Sequence, residues 1–116
     1  MPGAPYQPQT KLTVQMQSQS PHTFAFQLWR AAKGATSWTF IDEGTKDTPA
    51  MDHGPFPADT RFLYVLMVSG NSNTDWQIQA LLTQGGQTLA CQPSVEHGTI
   101  PADAHTAGRE TAFVLK

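Results

Sequence analysis

The feature that most constrains this chain is a period of two in its apolar residues. In the segment 75–83 apolar and polar side chains alternate, and the apolar ones are Trp76, Ile78, Ala80 and Leu82. The segment 10–19 repeats the pattern with Leu12, Val14 and Met16. Because successive side chains of a strand point to opposite faces, this period predicts strands with one buried face. No helical period is sustained, so the sequence predicts an all-β fold.

The apolar run 61–70, immediately before the segment 75–83, is the second constraint. Nearly every side chain from Phe62 to Val68 is apolar, which predicts a strand covered on both faces. The intervening residues 71–74 (NSNT) favour turns, so we expect the two runs to form an antiparallel hairpin. A second hairpin is predicted at Gly85–Gly86, joining the segment 75–83 to a strand over 87–92.

Further strands are predicted at 22–30, 37–42 and 110–116, which brings the count to about seven or eight. We expect an antiparallel β-sandwich of the immunoglobulin-like or jelly-roll type, with a Greek-key barrel as the alternative. Residues 10–116 form one domain in this prediction. Two stretches rich in glycine and proline, 43–59 and 93–109, are predicted to be long irregular loops.

The first nine residues carry Pro2, Pro5 and Pro8, which favours an extended, flexible arm with no core of its own. Two interpretations remain open for this arm. It is a frayed terminus, or it lies on a neighbouring subunit with Tyr6 as its anchor.

Charge and composition argue against several classes of partner. Only 14% of the residues are charged and the net charge is −2, so the chain lacks the basic surface that nucleic acids or anionic membranes require. No run approaches the ~20 apolar residues of a membrane span. Residues 1–5 show no signal peptide, which predicts synthesis in the cytoplasm and a soluble protein but leaves the final compartment open. The single Cys91 is predicted to be a small buried residue of a strand.

The residues with most chemical potential lie in the two predicted loops. They are Asp52, His53, Glu96, His97, Asp103 and His105. If the loops met at one end of the sandwich, these side chains could surround a ligand or a metal such as zinc. None has the spacing of a known metal motif, and no nucleophile motif surrounds Ser94 or Cys91. The alternating oxygens of Asn71, Asn73 and Asp75 are explained by a turn better than by calcium. The sequence therefore predicts no cofactor, no resident metal and no catalysis.

The tryptophans give the strongest functional indication. Trp38 and Trp76 share a register with apolar neighbours and are predicted to lie in the core, whereas Trp29 falls on the outward register of its strand. An exposed indole near amides and carboxylates can stack on a sugar ring, although it can equally anchor a protein interface.

The first functional hypothesis is therefore a lectin-like carbohydrate-binding module that uses Trp29 and the six loop residues. The second is an assembly subunit, a possible homo-oligomer, that self-associates or docks a partner protein through its proline-rich arm and open sheet edges. The third is a metal-dependent enzyme built on His53, His97 and His105. In composition and class the chain is similar to small β-sandwich lectins and other compact binding domains, and fold class alone does not fix function.

Overall fold

A computed structural model describes residues 3–18 and 20–116, and this part of the chain forms two antiparallel sheets packed face to face. The strands, in chain order, are β1 Leu12–Ser18, β2 Thr23–Ala31, β3 Thr39–Thr45, β4 Met51–His53, β5 Arg61–Ser69, β6 Asp75–Gln84, β7 Gln87–Thr88, β8 Glu96–Thr99 and β9 Thr106–Val114. The first sheet has the order β4-β1-β6-β7, with β8 also pairing with β6; the second has the order β3-β2-β5-β9. The predicted all-β sandwich is confirmed, with nine strands in the described part and two separate sheets rather than a closed barrel.

The core lies between the sheets and follows the predicted alternation. The inward residues of β1, β2 and β6 are buried, and they are Leu12, Val14, Met16, Phe24, Phe26, Leu28, Trp76, Ile78, Ala80 and Leu82. Burial of each large apolar side chain contributes about 1.5–3 kcal/mol, so this alternation is the main term that fixes the two layers. No helix long and apolar enough to cross a bilayer occurs in the described residues.

The predicted hairpin between β5 and β6 is wrong. β5 pairs with β2 and β9, whereas β6 pairs with β1, β7 and β8, so the connection 70–74 crosses from one sheet to the other. Its backbone bonds elsewhere: the Gly70 N–H donates to the His105 carbonyl at 3.0 Å, and the Asn73 N–H donates to the Ile100 carbonyl at 2.8 Å. The turn itself is confirmed, with Asn73 at φ 61°. Turn-forming residues predict a reversal of direction, but they do not say which sheet the next strand joins.

The prediction that β5 is covered on both faces is also wrong. Its inward residues are buried, whereas the outward ones alternate with them as half-buried or exposed positions, and Met67 is 50% exposed. The outward side of β5 is therefore largely apolar and open. The outward side of the first sheet instead carries amides and hydroxyls, as at Gln15, Gln77 and Thr83.

The glycine hairpin between β6 and β7 is confirmed. Gly85 and Gly86 have φ values of 57° and 79°, as a two-residue turn of the primed type requires. The following strand is much shorter than the predicted 87–92, because β7 ends at Thr88. Cys91 consequently lies half-buried in a turn rather than buried in a strand, which corrects the prediction for this residue.

The two predicted loops contain short strands. Residues 43–59 include the end of β3 and all of β4, and residues 93–109 include β8 and the start of β9. β9 is thus longer than the predicted strand 110–116. The C-terminus is tied into the fold. Leu115 is fully buried, its N–H donates to the Thr60 carbonyl at 2.9 Å, and its carbonyl accepts the Asp59 N–H at 2.9 Å.

The N-terminal segment packs on its own domain. Met1 and Pro2 of the predicted arm and Gln19 of the predicted first strand lie outside the described residues. From residue 3 onward the prediction of an arm with no core of its own is wrong. Ala4 exchanges backbone hydrogen bonds with Thr88 and Ala90 at 2.8 and 2.7 Å, and Tyr6 is only 5% exposed. Tyr6, predicted as an anchor on a neighbouring subunit, is instead buried in its own chain.

Candidate functional site

The two long loops lie at opposite ends of the sandwich. Asp59 and Thr60, just before β5, bond to Leu115, whereas Gly70, just after β5, bonds to His105. The nine residues of β5 separate these points by about 30 Å. His53 is therefore remote from His105. Among residues 3–18 and 20–116, no three His, Cys, Asp or Glu side chains come close enough to hold a metal ion.

Four of the predicted site residues stand alone on the surface. Asp52 accepts a hydrogen bond from the Thr13 hydroxyl at 2.6 Å on the outer side of the first sheet. His97 lies exposed on β8, Asp103 lies exposed in a turn with φ 64°, and His105 is exposed just before β9. The structure does not bring these four residues to a common site.

Glu96 joins the two sheets. Its carboxylate accepts hydrogen bonds from the hydroxyls of Tyr64 and Thr111 and from Arg109, whose Nη1 lies 3.0 Å from Oε2. The guanidinium of Arg109 also lies 5.3 Å from the Trp76 ring centroid. Burial raises the pKa of Tyr64 to about 12, because the phenolate would lose its hydration there. With every oxygen of the Glu96 carboxylate engaged, this cluster fastens β8 to the second sheet.

An aromatic pair, the half-buried Trp29 and the exposed Phe40, lies on the outer side of the second sheet. The rings of Trp29 on β2 and Phe40 on β3 meet edge to face, with centroids 5.2 Å apart at 75°. A register shift between Leu28 and Trp29 sets the two aromatic residues opposite each other. Phe40 is 44% exposed, and the Trp29 Nε1 donates to the Gln27 Oε1 at 3.3 Å. The outward register predicted for Trp29 is therefore confirmed.

A cavity of about 430 Å³ adjoins this pair at the end of the sandwich. It is lined by Arg30, Phe40, Ile41, His53 and the loop 54–57. Phe40 thus borders both the cavity and Trp29, so the structure brings two predicted site residues, Trp29 and His53, to either side of one ring. We call the group Trp29, Arg30, Phe40, Asp42 and His53 the aromatic corner.

The polar groups of the aromatic corner keep free hydrogen-bonding capacity. The His53 Nε2 is buried without a hydrogen-bond partner among the described residues, and it lies 3.7 Å from the Asp42 Oδ2. That separation is too long for a direct hydrogen bond. The Arg30 guanidinium lies 5.6 Å from the Phe56 ring centroid, and no carboxylate of the described residues pairs with it. The corner therefore offers a cation, a carboxylate and an imidazole beside two aromatic rings.

Tyr6 holds the wall of the cavity in place. Its hydroxyl donates to the Phe56 carbonyl at 2.7 Å and accepts the Phe56 N–H at 3.1 Å. Burial raises the pKa of Tyr6, because the phenolate would be poorly solvated there. The N-terminal segment, the loop 54–57 and β2 thus build one side of the site together.

The sequence identifies only part of this site. Arg30, Phe40 and Asp42 are missed, and the one available signal was the position of Phe40 on a predicted strand near Trp29 in sequence. The prediction that Trp38 lies in the core is wrong. Its ring is partly exposed just before β3, with the Arg61 guanidinium 5.2 Å from the centroid. Trp76, in contrast, is buried as predicted.

Comparison with protein-family models, curated proteins and solved structures finds no match to this chain.

Proposed function

We propose that this protein is a non-enzymatic, lectin-like binding module and that its ligand is a carbohydrate bound at the aromatic corner. The observation that carries the proposal is the outward-facing pair of half-buried Trp29 and exposed Phe40 beside a cavity lined by Arg30 and His53. Aromatic rings that face outward next to polar groups are the surface that a sugar needs.

The chemistry of a sugar ring matches both parts of the corner. One face of a pyranose carries C–H groups, which can stack on the rings of Trp29 and Phe40. Its hydroxyls can donate to the Asp42 carboxylate and accept from the Arg30 guanidinium.

The expected affinity of one such site is modest. A few hydrogen bonds worth ~1 kcal/mol each, together with one stacked ring, sum to about 4–6 kcal/mol. This corresponds to a Kd between about 1 mM and 0.05 mM for a short saccharide. Detection consequently requires millimolar ligand or multivalent display.

A calorimetric titration with a panel of neutral mono- and oligosaccharides tests the proposal. We expect Trp29→Ala to weaken binding at least tenfold, because it removes the indole ring on which the sugar would stack. Met67→Ala is the matched control, since Met67 is an exposed apolar residue on the same side of the second sheet but lies four residues away in register. His53→Ala should also weaken binding, whereas His97→Ala, at an exposed position on β8, should not. The proposal would be overturned if no saccharide of the panel bound, or if Trp29→Ala left the affinity unchanged.

A further inference from the structure

Most edges of this sandwich are unsuited to pairing with another strand. β4, β7 and β8 are three, two and four residues long. β3 is interrupted by the register shift opposite Trp29, and its Glu43 and Thr45 amides bond to the side chains of Asp42 and Thr48 at 2.8 and 2.9 Å. Short strands, irregular register and occupied amides are the features by which sheet edges avoid association.

The edge formed by β9 lacks these features. It pairs with β5 over nine residues without a register shift, from Thr106 opposite Ser69 to Val114 opposite Arg61. In the described part of the chain no strand pairs with its other side. Its sequence, TAGRETAFV, contains neither proline nor lysine. About 30 Å of regular edge therefore presents alternate backbone N–H and C=O groups outward.

We propose that β9 pairs with β9 of a second copy of this chain, antiparallel about a two-fold axis. In the register centred on Thr111, the two Thr111 side chains face each other, Glu110 faces Ala112 of the second copy and Arg109 faces its Phe113. Registers centred on Arg109 or Glu110 would set like charges directly opposite, which is destabilising. The edge is thus compatible with itself in the register centred on Thr111, and the two second sheets become one continuous sheet of eight strands.

The available area fits a reversible dimer. An edge about 30 Å long on a sandwich about 20 Å thick gives roughly 600 Å² per copy, or roughly 1,200 Å² in total. That is the lower end of specific interfaces, so we expect a Kd in the micromolar range. Val95, 36% exposed, lies on the same side of the sandwich, next to the β8 residue that bonds to Arg109. It adds an apolar contact to the backbone pairing.

Pairing through β9 would also bring two ligand sites together, and this consequence rests on the proposed function. A two-fold axis perpendicular to the sheet keeps the outer sides of both second sheets facing the same way. The two copies of Trp29 lie on β2 strands five spacings apart, at about 24 Å. Two aromatic corners would then meet one glycan-bearing surface together and gain from bivalency.

The association is testable without any ligand, so its failure is distinguishable from failure of the carbohydrate proposal. Sedimentation of the full chain from micromolar to millimolar concentration should show a monomer–dimer equilibrium. In the same range, hydrogen exchange of alternate β9 amides should slow at least tenfold as concentration rises, whereas the amides bonded to β5 stay protected throughout. A monomer at every concentration, with alternate β9 amides exchanging freely, would overturn the proposal.

Two neighbouring substitutions provide the matched variants. The amides of Ala107 and Gly108 point to opposite sides of β9, so one of Ala107→Pro and Gly108→Pro removes an outward N–H and the other removes a bond to β5. We expect the variant that keeps the wild-type melting temperature to be monomeric. If that well-folded variant still dimerised, pairing through β9 would be excluded.

Discussion

Replacement of Tyr6 by phenylalanine removes one oxygen atom and tests how the N-terminal segment is joined to the domain. The Tyr6 hydroxyl donates to the Phe56 carbonyl and accepts the Phe56 N–H, at 2.7 and 3.1 Å. Without it, two buried backbone groups lose their partner, and each such loss costs about 1–3 kcal/mol. We expect Tyr6→Phe to lower the free energy of unfolding by about 2–4 kcal/mol. This is a large fraction of the 5–15 kcal/mol typical of a domain.

Thermal and urea unfolding of Tyr6→Phe and wild type would measure this difference. For a chain of this length 1 kcal/mol corresponds to roughly 3–6 °C, so the melting temperature should fall by roughly 6–24 °C. Gln9→Ala is the control, because Gln9 lies exposed in the same segment and should change stability by less than ~0.5 kcal/mol. A Tyr6→Phe variant as stable as this control would refute the inferred docking. The same substitution should weaken ligand binding, since Phe56 forms the wall of the aromatic corner.

Three further outcomes are expected. In Gly98→Ala the new Cβ would lie 2.8 Å from the Trp76 ring, so we expect urea unfolding to show a destabilisation of about 1–3 kcal/mol. Gly108→Ala is the control and should be near neutral, because the nearest contact of its new Cβ would be at 3.7 Å. Equal effects of the two substitutions would contradict the packing of Gly98 against Trp76. Because the pKa of Tyr64 is raised to about 12, the folded state binds more protons than the unfolded state above pH 10, so stability should fall by up to ~1.4 kcal/mol per pH unit between pH 10 and 12. This slope should be shallower in Tyr64→Phe, and identical slopes would count against the assignment. Removal of residues 113–116 deletes a fully buried leucine and three backbone hydrogen bonds outside the strand pairing, so the truncated chain should fail to unfold cooperatively, and wild-type melting would contradict the fold.

Local sequence patterns predict the structure correctly wherever a single physical requirement determines the local backbone or the buried face. The alternation in β1, β2 and β6 identifies buried faces, because a strand has only two sides. The Gly85–Gly86 turn is recognisable because both residues need a positive φ. These features yield the sandwich class without information on distant contacts.

The sequence-based predictions fail where contacts with residues distant in sequence determine the structure. The residues of 70–74 bond to Ile100 and His105 across about 30 positions of sequence, and nothing in the turn itself reveals that β6 joins the other sheet. Tyr6 is buried because its hydroxyl meets Phe56, fifty residues away. The three prolines near it predict an extended backbone, which is consistent with a docked segment as well as with a free arm.

In the candidate site, too, local patterns predict some residues, whereas distant contacts determine how they come together. The outward register of Trp29 follows from the period of two, and His53 is singled out by its chemistry. Their approach depends on Phe40, and Phe40 faces Trp29 only because of a register shift that leaves no mark in the residue letters. Asp42 and Arg30 become part of the site through that same shift and through the position of β4.

The three indole N–H signals of a ¹⁵N-labelled sample provide the most direct test of the aromatic corner. They belong to Trp29, Trp38 and Trp76, and only Trp76 is fully buried. On titration with a saccharide that binds, the Trp29 signal should shift with the same saturation curve as the backbone amides of Phe40 and His53, while the Trp76 signal stays in place. A bound saccharide that leaves the Trp29 signal unmoved, and instead shifts amides of the β8 end of the sandwich, would contradict the account.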